Sequence, residues 1–249
     1  MAERSPSIAS EGEHVTPAIQ EYLDAIYNMQ AEGKTVIAAR LAERLGVTPP
    51  TVAATLKRMV AEDLVHVDER REIHLTPKGR ELAELLVRRH RLVERLLTDL
   101  LGLKWHEAHE EAARLEHAIS PKLEEQIDRA LGHPTTCPHG NPIPGTAAAH
   151  RPPGVPLDTL AVGATAVVDR IPEEGERDPR FLAFLQDHGI LPGTRLTVLE
   201  TLPIAGTLTV AVDSTSVVLG LAAAGKVWVH PVDDSVGVDR ALDNGGARE

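Results

Sequence analysis

The sequence predicts a mainly α-helical protein that ends in a small β-barrel. Apolar residues recur at helical spacing from Thr16 to about Leu131. Residues 132–156 are then dense in proline and glycine, which is typical of a connector because proline fixes φ and removes a backbone donor. Beyond the connector, short β-branched segments are bounded by Gly, Pro or Asp, as strands are. A single change of periodicity therefore separates a helical part from a β part.

Residues 35–64 predict two short helices joined by a glycine-containing turn. The first helix is interrupted at Gly46-Val47-Thr48, and Pro49-Pro50 starts the second, because proline is tolerated in the first turn of a helix. Thr48 stands at the N-cap position of the second helix, which favours threonine. This arrangement is a helix-turn-helix. Its second helix is expected to bury Val52, Leu56, Met59 and Val60.

A charged β-hairpin is predicted directly after the second helix. Residues 64–67 and 72–75 alternate with a period of two around the charged turn at 68–71, and Thr76-Pro77 then starts another helix. A charged hairpin after a helix-turn-helix is a wing, so the order of elements predicts a winged-helix DNA-binding domain. We expect base edges to be read by Thr48, Pro50, Thr51 and Ala54, and phosphates to be neutralised by Lys57, Arg58, Arg70 and Arg71.

The distribution of charge permits DNA binding although the whole chain is acidic. The formal net charge is −11, but residues 34–95 hold 13 Lys and Arg against 9 Asp and Glu. Nucleic-acid binding depends on the face that a protein presents to the phosphates. The negative net charge therefore does not exclude a DNA-binding protein.

The two helices after the wing carry histidines and carboxylates at helical spacing. Residues 90 and 94 are four apart and share one face, and residues 109, 116 and 117 fall within an arc of about 100° on the next helix. Imidazole and carboxylate groups that converge from neighbouring helices favour a divalent first-row metal ion, although each such pair is also compatible with a salt bridge. The candidate ligands are His90, Glu94, His109, Glu116 and His117, together with Glu21 and Asp24 on one face of the first helix.

The composition limits the cellular setting. The single cysteine, Cys137, excludes an intrachain disulfide, and no apolar run approaches the roughly 20 residues needed to span a bilayer. The N-terminus lacks the apolar stretch of a signal peptide. We therefore expect a cytoplasmic protein without a membrane partner. Cys137 and His139 lie in the connector, where Cys-Pro-His could suggest metal binding, but a docking loop is the preferred interpretation.

Five stretches of the sequence, taken in order, resemble the diphtheria toxin repressor and manganese transport regulator family. They are Glu21–Tyr27, Thr48–Val52, Arg89–Leu97, His109–His117 and Gly140–Gly145. The resemblance covers about residues 16–230. It implies a metal(II)-activated transcriptional repressor that controls manganese or iron homeostasis genes and binds a double-stranded DNA operator as a homodimer. It also implies an SH3-like C-terminal domain of the kind seen in small ferrous-transport proteins.

The resemblance and the residue pattern together divide the chain into six parts. The predicted parts are a disordered N-terminus (1–15), a winged helix-turn-helix domain (16–76), a helical metal-binding and dimerisation domain (77–131), a connector (132–156), an SH3-like domain (157–232) and a flexible tail (233–249). The predicted strands of the SH3-like domain cover residues 165–168, 194–199, 207–212, 216–219 and 226–229, with one helix at about 179–188.

The resemblance also distributes the candidate ligands over two sites. His90, Glu94 and His109 match the family's ancillary site, which the C-terminal domain completes; Asp178 is the best match there, followed by Glu176. Glu116 and His117 match the primary site. Glu21 stands where manganese-type members have a carboxylate, and Asp24 also matches a manganese-type ligand.

One position departs from the family pattern. Ala113 occupies the place of a cysteine or glutamate ligand, and an alanine side chain cannot bind metal. Either a backbone carbonyl, water, Glu110 or Glu21 completes the primary site, or the site around His90 dominates. Without sulfur ligands at these positions, the donors favour Mn²⁺, followed by Fe²⁺, with up to two ions per subunit.

Two other functions fit parts of the sequence. A winged-helix regulator could respond to a non-metal ligand through its C-terminal domain, and metal-independent DNA binding would favour it. A metal-dependent hydrolase could use the same histidines and carboxylates to activate water. Against the hydrolase, the sequence has no nucleophile elbow, no His-Glu-x-x-His motif and no Gly-rich phosphate loop. We therefore do not expect an enzyme.

Overall fold

The computed structural model describes residues 15–232, and the chain divides into two compact units at residues 83 and 84. The predicted flexible tail, and all but the last residue of the predicted disordered N-terminus, lie outside the described residues. Within residues 15–232, no helix is long and apolar enough to cross a membrane.

The first unit has the predicted order of helices and hairpin. It contains α1 (Pro17–Ala31), α2 (Ala38–Leu45), α3 (Pro49–Ala61), β1 (Val65–Val67) and β2 (Ile73–Leu75). The two strands pair antiparallel. Its core consists of buried aliphatic side chains from all three helices and the hairpin, among them Leu23, Ile26, Leu41, Val52, Met59, Leu64 and Ile73.

The turn between α2 and α3 forms as the sequence predicts, with two differences in detail. Gly46 ends α2 in a left-handed conformation (φ +64°), which glycine adopts without a steric penalty. Thr48 precedes α3, but its hydroxyl lies 2.9 Å from the Thr51 hydroxyl rather than capping a backbone N–H. The predicted burial of Val60 is wrong: its side chain is 48% exposed, because it follows the buried Met59 by one residue and so points about 100° away.

The second unit begins inside a long helix. This helix is α4 (Pro77–Arg95), followed by a π-helical turn (Leu96–Leu100), α5 (Trp105–Leu115), a 3₁₀ turn (Glu116–Ala118) and α6 (Pro121–Ala130). Residues 116 and 117, which the sequence places on the same helix as His109, thus lie in a tighter turn after Leu115. α4 and α5 pack through four buried side chains, Val93 and Leu97 against Ala108 and Ala112.

The connector packs into the second unit. Thr136 and Pro142 form an isolated antiparallel bridge, and Ile143 is buried with Leu92 and Ile127. Gly140 has φ +90°, and a Cβ at this position would lie 2.3 Å from the Asp169 carbonyl oxygen. The chain therefore needs glycine here, and the turn is held tightly.

The C-terminal part of the second unit is a six-stranded antiparallel sheet in the order β3-β8-β4-β5-β6-β7. The strands are β3 (Val155–Pro156), β4 (Thr165–Arg170), β5 (Arg195–Leu202), β6 (Thr207–Val212), β7 (Thr215–Gly220) and β8 (Trp228–Val232). Three short helices accompany them: α7 (Glu173–Glu176), α8 (Pro179–Asp187) and α9 (Leu221–Ala224). All five predicted strands and the predicted helix are present, and β3 is the strand that the sequence did not predict.

Candidate metal centre

Two residues of α4 begin the site. His90 and Glu94 lie one turn apart on the face of α4 that packs against α5, and His90 Nε2 is 3.1 Å from Glu94 Oε1. The Glu94 side chain is completely buried. A buried carboxylate is costly unless it is paired, so other groups must converge on this position.

α5 supplies the next donor. His109 Nδ1 lies 3.1 Å from His90 Nε2 and 3.1 Å from Glu94 Oε1. Two ligands that each lie about 2.1 Å from an ion are about 3 Å apart when their bonds are at right angles. The spacing of these three atoms therefore matches a coordination sphere.

A short turn of the C-terminal domain contributes two buried carboxylates. Glu176 Oε2 lies 3.4 Å from His109 Nδ1, and Glu173 Oε1 lies 3.6 Å from His109 Nε2. Both belong to α7, which packs closely because Gly175 carries no side chain; a Cβ there would lie 2.6 Å from Ile171 Cγ2.

The predicted ligand Asp178 has a different position. Its carboxylate accepts hydrogen bonds from the backbone N–H groups of Arg180 and Phe181, and so it caps the N-terminus of α8. Glu176, the second choice from the sequence, is the residue beside His109. Glu173 was missed, and the signal that could have found it is the run of acids at 173–176 between strand β4 and a helix start.

The connector adds two potential donors, although the sequence favours a docking loop over metal binding here. His139 Nδ1 lies 3.5 Å from Glu94 Oε1 and 3.4 Å from Glu176 Oε1. Cys137 Sγ lies 3.8 Å from Glu176 Oε1 and 3.9 Å from His139 Nδ1. Each of the four residues Glu94, Cys137, His139 and Glu176 offers one donor atom within 4.8 Å of the others, and all four are buried. The connector thus places two potential metal ligands near Glu94 and Glu176, in addition to its packing contacts.

Neighbouring groups orient two of the histidine rings. His139 Nε2 lies 3.1 Å from the Trp105 carbonyl oxygen, which can only accept, so Nε2 donates and Nδ1 faces the carboxylates. His90 Nδ1 lies 2.6 Å from Glu116 Oε2, which leaves Nε2 facing Glu94. Such hydrogen bonds fix the tautomer and orientation of histidines that bind metals.

Buried charges raise the pKa values of the histidines. Burial alone disfavours a charged His90, but Glu94 and Glu116 outweigh burial and raise the pKa of His90 well above its ordinary value. For His109 burial is again outweighed, first by Glu173, and its pKa is also raised well above the ordinary value. The neighbouring carboxylates therefore favour the charged form of each ring.

The carboxylates respond to the same charges in different directions. Burial opposes the ionised form of Glu94, but His139 and His90 outweigh it and hold the pKa of Glu94 well below its ordinary value. Burial is likewise outweighed at Glu173, chiefly by His109, and the pKa of Glu173 falls to about 2. At Glu176 burial dominates and raises the pKa. Protons on the histidines thus balance ionised carboxylates in a buried setting.

One buried oxygen in this cluster lacks a hydrogen bond. Glu94 Oε2 has no hydrogen-bond partner within the described part of the chain. An unsatisfied carboxylate oxygen in a buried site is energetically unfavourable, and a cation would satisfy it. The donor types and the unpaired oxygen both fit a divalent metal ion. The residues His90, Glu94, His109, Cys137, His139, Glu173 and Glu176 are called the buried donor cluster below.

The residues that match the family's primary site are arranged differently. Glu116 contacts His90, and His117 is exposed, with Nε2 3.6 Å from Glu116 Oε1. Ala113 is exposed and offers no side-chain donor. Glu110, a possible substitute donor, pairs with Arg114 at 2.7 Å.

Glu21 and Asp24 belong to the first unit. Glu21 is exposed on α1, and Asp24 Oδ1 accepts a hydrogen bond of 2.9 Å from Asn28 Nδ2. Their part in a metal site stays a prediction.

All eight predicted DNA-contacting residues have exposed side chains. They are Thr48, Pro50, Thr51, Ala54, Lys57, Arg58, Arg70 and Arg71. Arg71 adopts a positive φ of 62° in the wing turn, and Arg58 donates a hydrogen bond to the Thr16 hydroxyl at 3.4 Å. These positions are compatible with DNA contact, which stays a prediction for each residue.

Three family models match successive parts of the chain. They describe an iron-dependent repressor N-terminal DNA-binding domain at residues 14–73, an iron-dependent repressor metal-binding and dimerisation domain at residues 76–145, and a FeoA domain at residues 155–231.

Known proteins match over most of the same range. The iron-dependent repressor IdeR of Mycobacterium bovis is 40% identical over 221 residues, which are 85% of this chain and 96% of that protein. A solved structure of a manganese-dependent transcriptional repressor in complex with manganese is 39% identical, with a TM-score of 0.77, and the match covers 86% of this chain and all of the other. The manganese regulator SloR is 29% identical, with a TM-score of 0.71, over 88% of this chain and all of the other.

Proposed function

The chain belongs to the iron-dependent repressor family, and on that premise we propose that it represses transcription by binding operator DNA as a homodimer when Mn²⁺ or Fe²⁺ occupies the buried donor cluster. The observation that carries this proposal is the convergence of donors from four separate segments, α4, α5, the connector and α7, on the buried Glu94. We infer a regulatory rather than a catalytic role, exercised in the cytoplasm.

The buried donor cluster contains two overlapping ligand sets. His90 and His109 lie near Glu94 in one set, Cys137 and His139 lie near it in the other, and Glu176 lies near both sets. Shared carboxylates can bridge two ions or serve either one alone. We therefore propose one or two ions per subunit in this cluster, with Glu94 common to both sets.

The ligand types bear on the choice of metal. The set with His90 and His109 offers only nitrogen and oxygen, which suits Mn²⁺ and Fe²⁺ alike. Cys137 adds sulfur to the other set, and softer donors favour Fe²⁺ over Mn²⁺. Burial raises the pKa of the Cys137 thiol well above its ordinary value, and Glu94 adds to this effect. The thiolate therefore needs a nearby cation, and we propose that iron engages Cys137 while manganese uses the nitrogen and oxygen donors.

A bound divalent cation supplies the positive charge that histidine protons otherwise provide. His90 and Glu94 then hold α4 to α5, the connector and α7. Because α4 begins at Pro77, directly after the wing, we propose that this fixed helix raises the fraction of molecules competent to bind DNA. Metal and operator then strengthen each other's binding.

Operator binding with and without metal tests this function. The full chain is titrated onto DNA from its own upstream region with Mn²⁺, with Fe²⁺ under anaerobic conditions, or with chelator. We expect binding only with metal. His109→Ala should weaken metal-dependent binding about tenfold or more, because it removes a central donor. His117→Ala, which removes an exposed histidine two turns away, is the matched control and should stay near wild type.

Two outcomes would overturn the proposal. Equal DNA binding with metal and with chelator would exclude metal activation. Loss of the response in His117→Ala, with a normal response in His109→Ala, would move the sensing site away from the buried donor cluster.

A further inference from the structure

The wing carries a second group of potential metal ligands. His66 and His74 stand directly opposite each other in the β1–β2 pair, with ring centroids 5.0 Å apart and planes at 24°. Asp68 Oδ2 lies 3.2 Å from His74 Nε2. Asp68, Glu72 and His74 each offer one donor atom within 4.8 Å of the others. Two imidazoles and a carboxylate therefore meet on one face of the hairpin.

The hairpin backbone fixes the Asp68 carboxylate. Its Oδ1 accepts hydrogen bonds from the backbone N–H groups of Glu72 at 2.8 Å and Arg70 at 2.9 Å. These two bonds hold the carboxylate in one orientation. The remaining oxygen, Oδ2, points at His74. Its separation from Nε2 is close to the 3 Å or so between two ligands of one ion.

An open surface pocket provides room for an ion beside these side chains. It has a volume of 530 Å³, and His66, Asp68 and His74 contribute to its lining. Two cationic side chains line it as well. Each has a partner of its own: Lys34 Nζ lies 2.9 Å from Glu32 Oε2, and Arg80 donates to Gln30 Oε1 at 3.3 Å.

We propose that His66, Asp68 and His74 form a separate surface site for a divalent transition-metal ion that prefers imidazole, of which Zn²⁺ is the representative. A side-chain rotation of the exposed His66 brings its ring nitrogen to the ion, and water completes the coordination. The site uses no residue of the buried donor cluster and does not depend on the function proposed above. It ties both strands and the turn of the wing together, and it adds two positive charges close to Arg70 and Arg71.

Zinc titration of the full chain, followed by NMR of the histidine ring signals, tests this site. We expect Zn²⁺ to shift the ring resonances of both His66 and His74 in the wild type. His66→Ala should weaken zinc binding at His74 about tenfold. Val67→Ala, which changes the exposed neighbour on the opposite face of β1, should bind zinc at the wing as the wild type does.

Two further variants test whether His74 binds the zinc ion and whether the wing site is independent of the buried donor cluster. His74→Gln retains a hydrogen-bond donor towards Asp68 and removes the ligand, so zinc should no longer shift the His66 signals. Glu94→Gln should leave the response of the wing unchanged, which separates this site from the buried donor cluster. The proposal is overturned if zinc leaves the wild-type His66 signals unshifted, or if His66→Ala does not change the affinity measured at His74.

Discussion

The two ends of α5 carry the same residue types in opposite surroundings. His109, in the first half of the helix, lies within 3.1 Å of donors on α4 and faces two carboxylates of α7. His117, just past the C-terminal end, is 39% exposed and lies 3.6 Å from Glu116. Ala113 between them offers no donor. We therefore predict that segments converging on Glu94 matter more for metal binding than histidine and glutamate at helical spacing alone.

Packing explains the difference between the two ends. Ala108 and Ala112 of α5 are buried against Val93 of α4. His109 follows Ala108, so its side chain lies close to α4. Leu115 is 42% exposed, and the helix tightens into a 3₁₀ turn directly after it. The His117 side chain is consequently more exposed than that of His109, while Glu116 turns back towards His90.

The largest expected effect comes from Glu94→Gln. This substitution removes the charge of the carboxylate that both ligand sets share, so metal affinity should fall about 100-fold or more and metal-dependent DNA binding should be lost. Equilibrium dialysis with Mn²⁺ and Fe²⁺ measures the affinity. Glu110→Gln changes an exposed glutamate next to His109 on α5, whose carboxylate pairs with Arg114 instead of facing Glu94, and serves as control. If Glu94→Gln binds metal as tightly as the wild type, the buried donor cluster is not the main metal site.

An intermediate effect is expected from pH. His90 and His109 have raised pKa values, so metal must displace their protons, and metal affinity should rise as pH increases above about 6.5. Calorimetry in buffers of different ionisation enthalpy should show release of more than one proton per cluster. Metal affinity that does not change between pH 6 and pH 8 would contradict this expectation.

The same groups set the stability of the metal-free protein. A raised histidine pKa contributes stability that is complete below about pH 6.5 and is lost as pH rises through the folded-state pKa. The lowered pKa of Glu173 contributes stability above about pH 4.3 that is lost as pH falls towards 2. Thermal unfolding without metal should therefore show falling stability in mildly alkaline solution, and added metal should reverse this.

The smallest effect is expected from Ala113→Glu. The new carboxylate stands one helical turn from Glu116 and His117, but His117 is exposed and Glu116 already pairs with His90 Nδ1 at 2.6 Å. We expect a gain in metal affinity of about threefold or less, best measured in the Glu94→Gln background. Ala113→Gln adds the same bulk without charge and is the control. Full recovery of metal-dependent DNA binding would show that the second end of α5 had lacked only one ligand.

Local patterns predicted the elements but not how the buried donor cluster is completed. Periodicity was sufficient for the helix-turn-helix, the wing and five of the strands, because each depends on neighbouring residues. Helical spacing and the family resemblance name His90, Glu94 and His109 as candidate ligands, and the structure places their donor atoms 3.1 Å apart. The contributions of Glu173 and Cys137 depend on how a turn and a connector fold back onto α4, and spacing does not encode this. Asp178 was chosen over Glu176 because sequence alone does not reveal that its carboxylate caps α8.

The short helix α7 has a consequence for the order of events during synthesis. Glu94 and His109 leave the ribosome well before Glu173 and Glu176, at a rate of about 5–20 residues per second. For several seconds the nascent chain therefore contains the α4 and α5 residues of the buried donor cluster but not those of α7. The helices α4 and α5 are already complete at this stage. A newly made chain cannot assemble the full cluster until translation has passed α7, so only chains that have completed this segment can respond fully to metal.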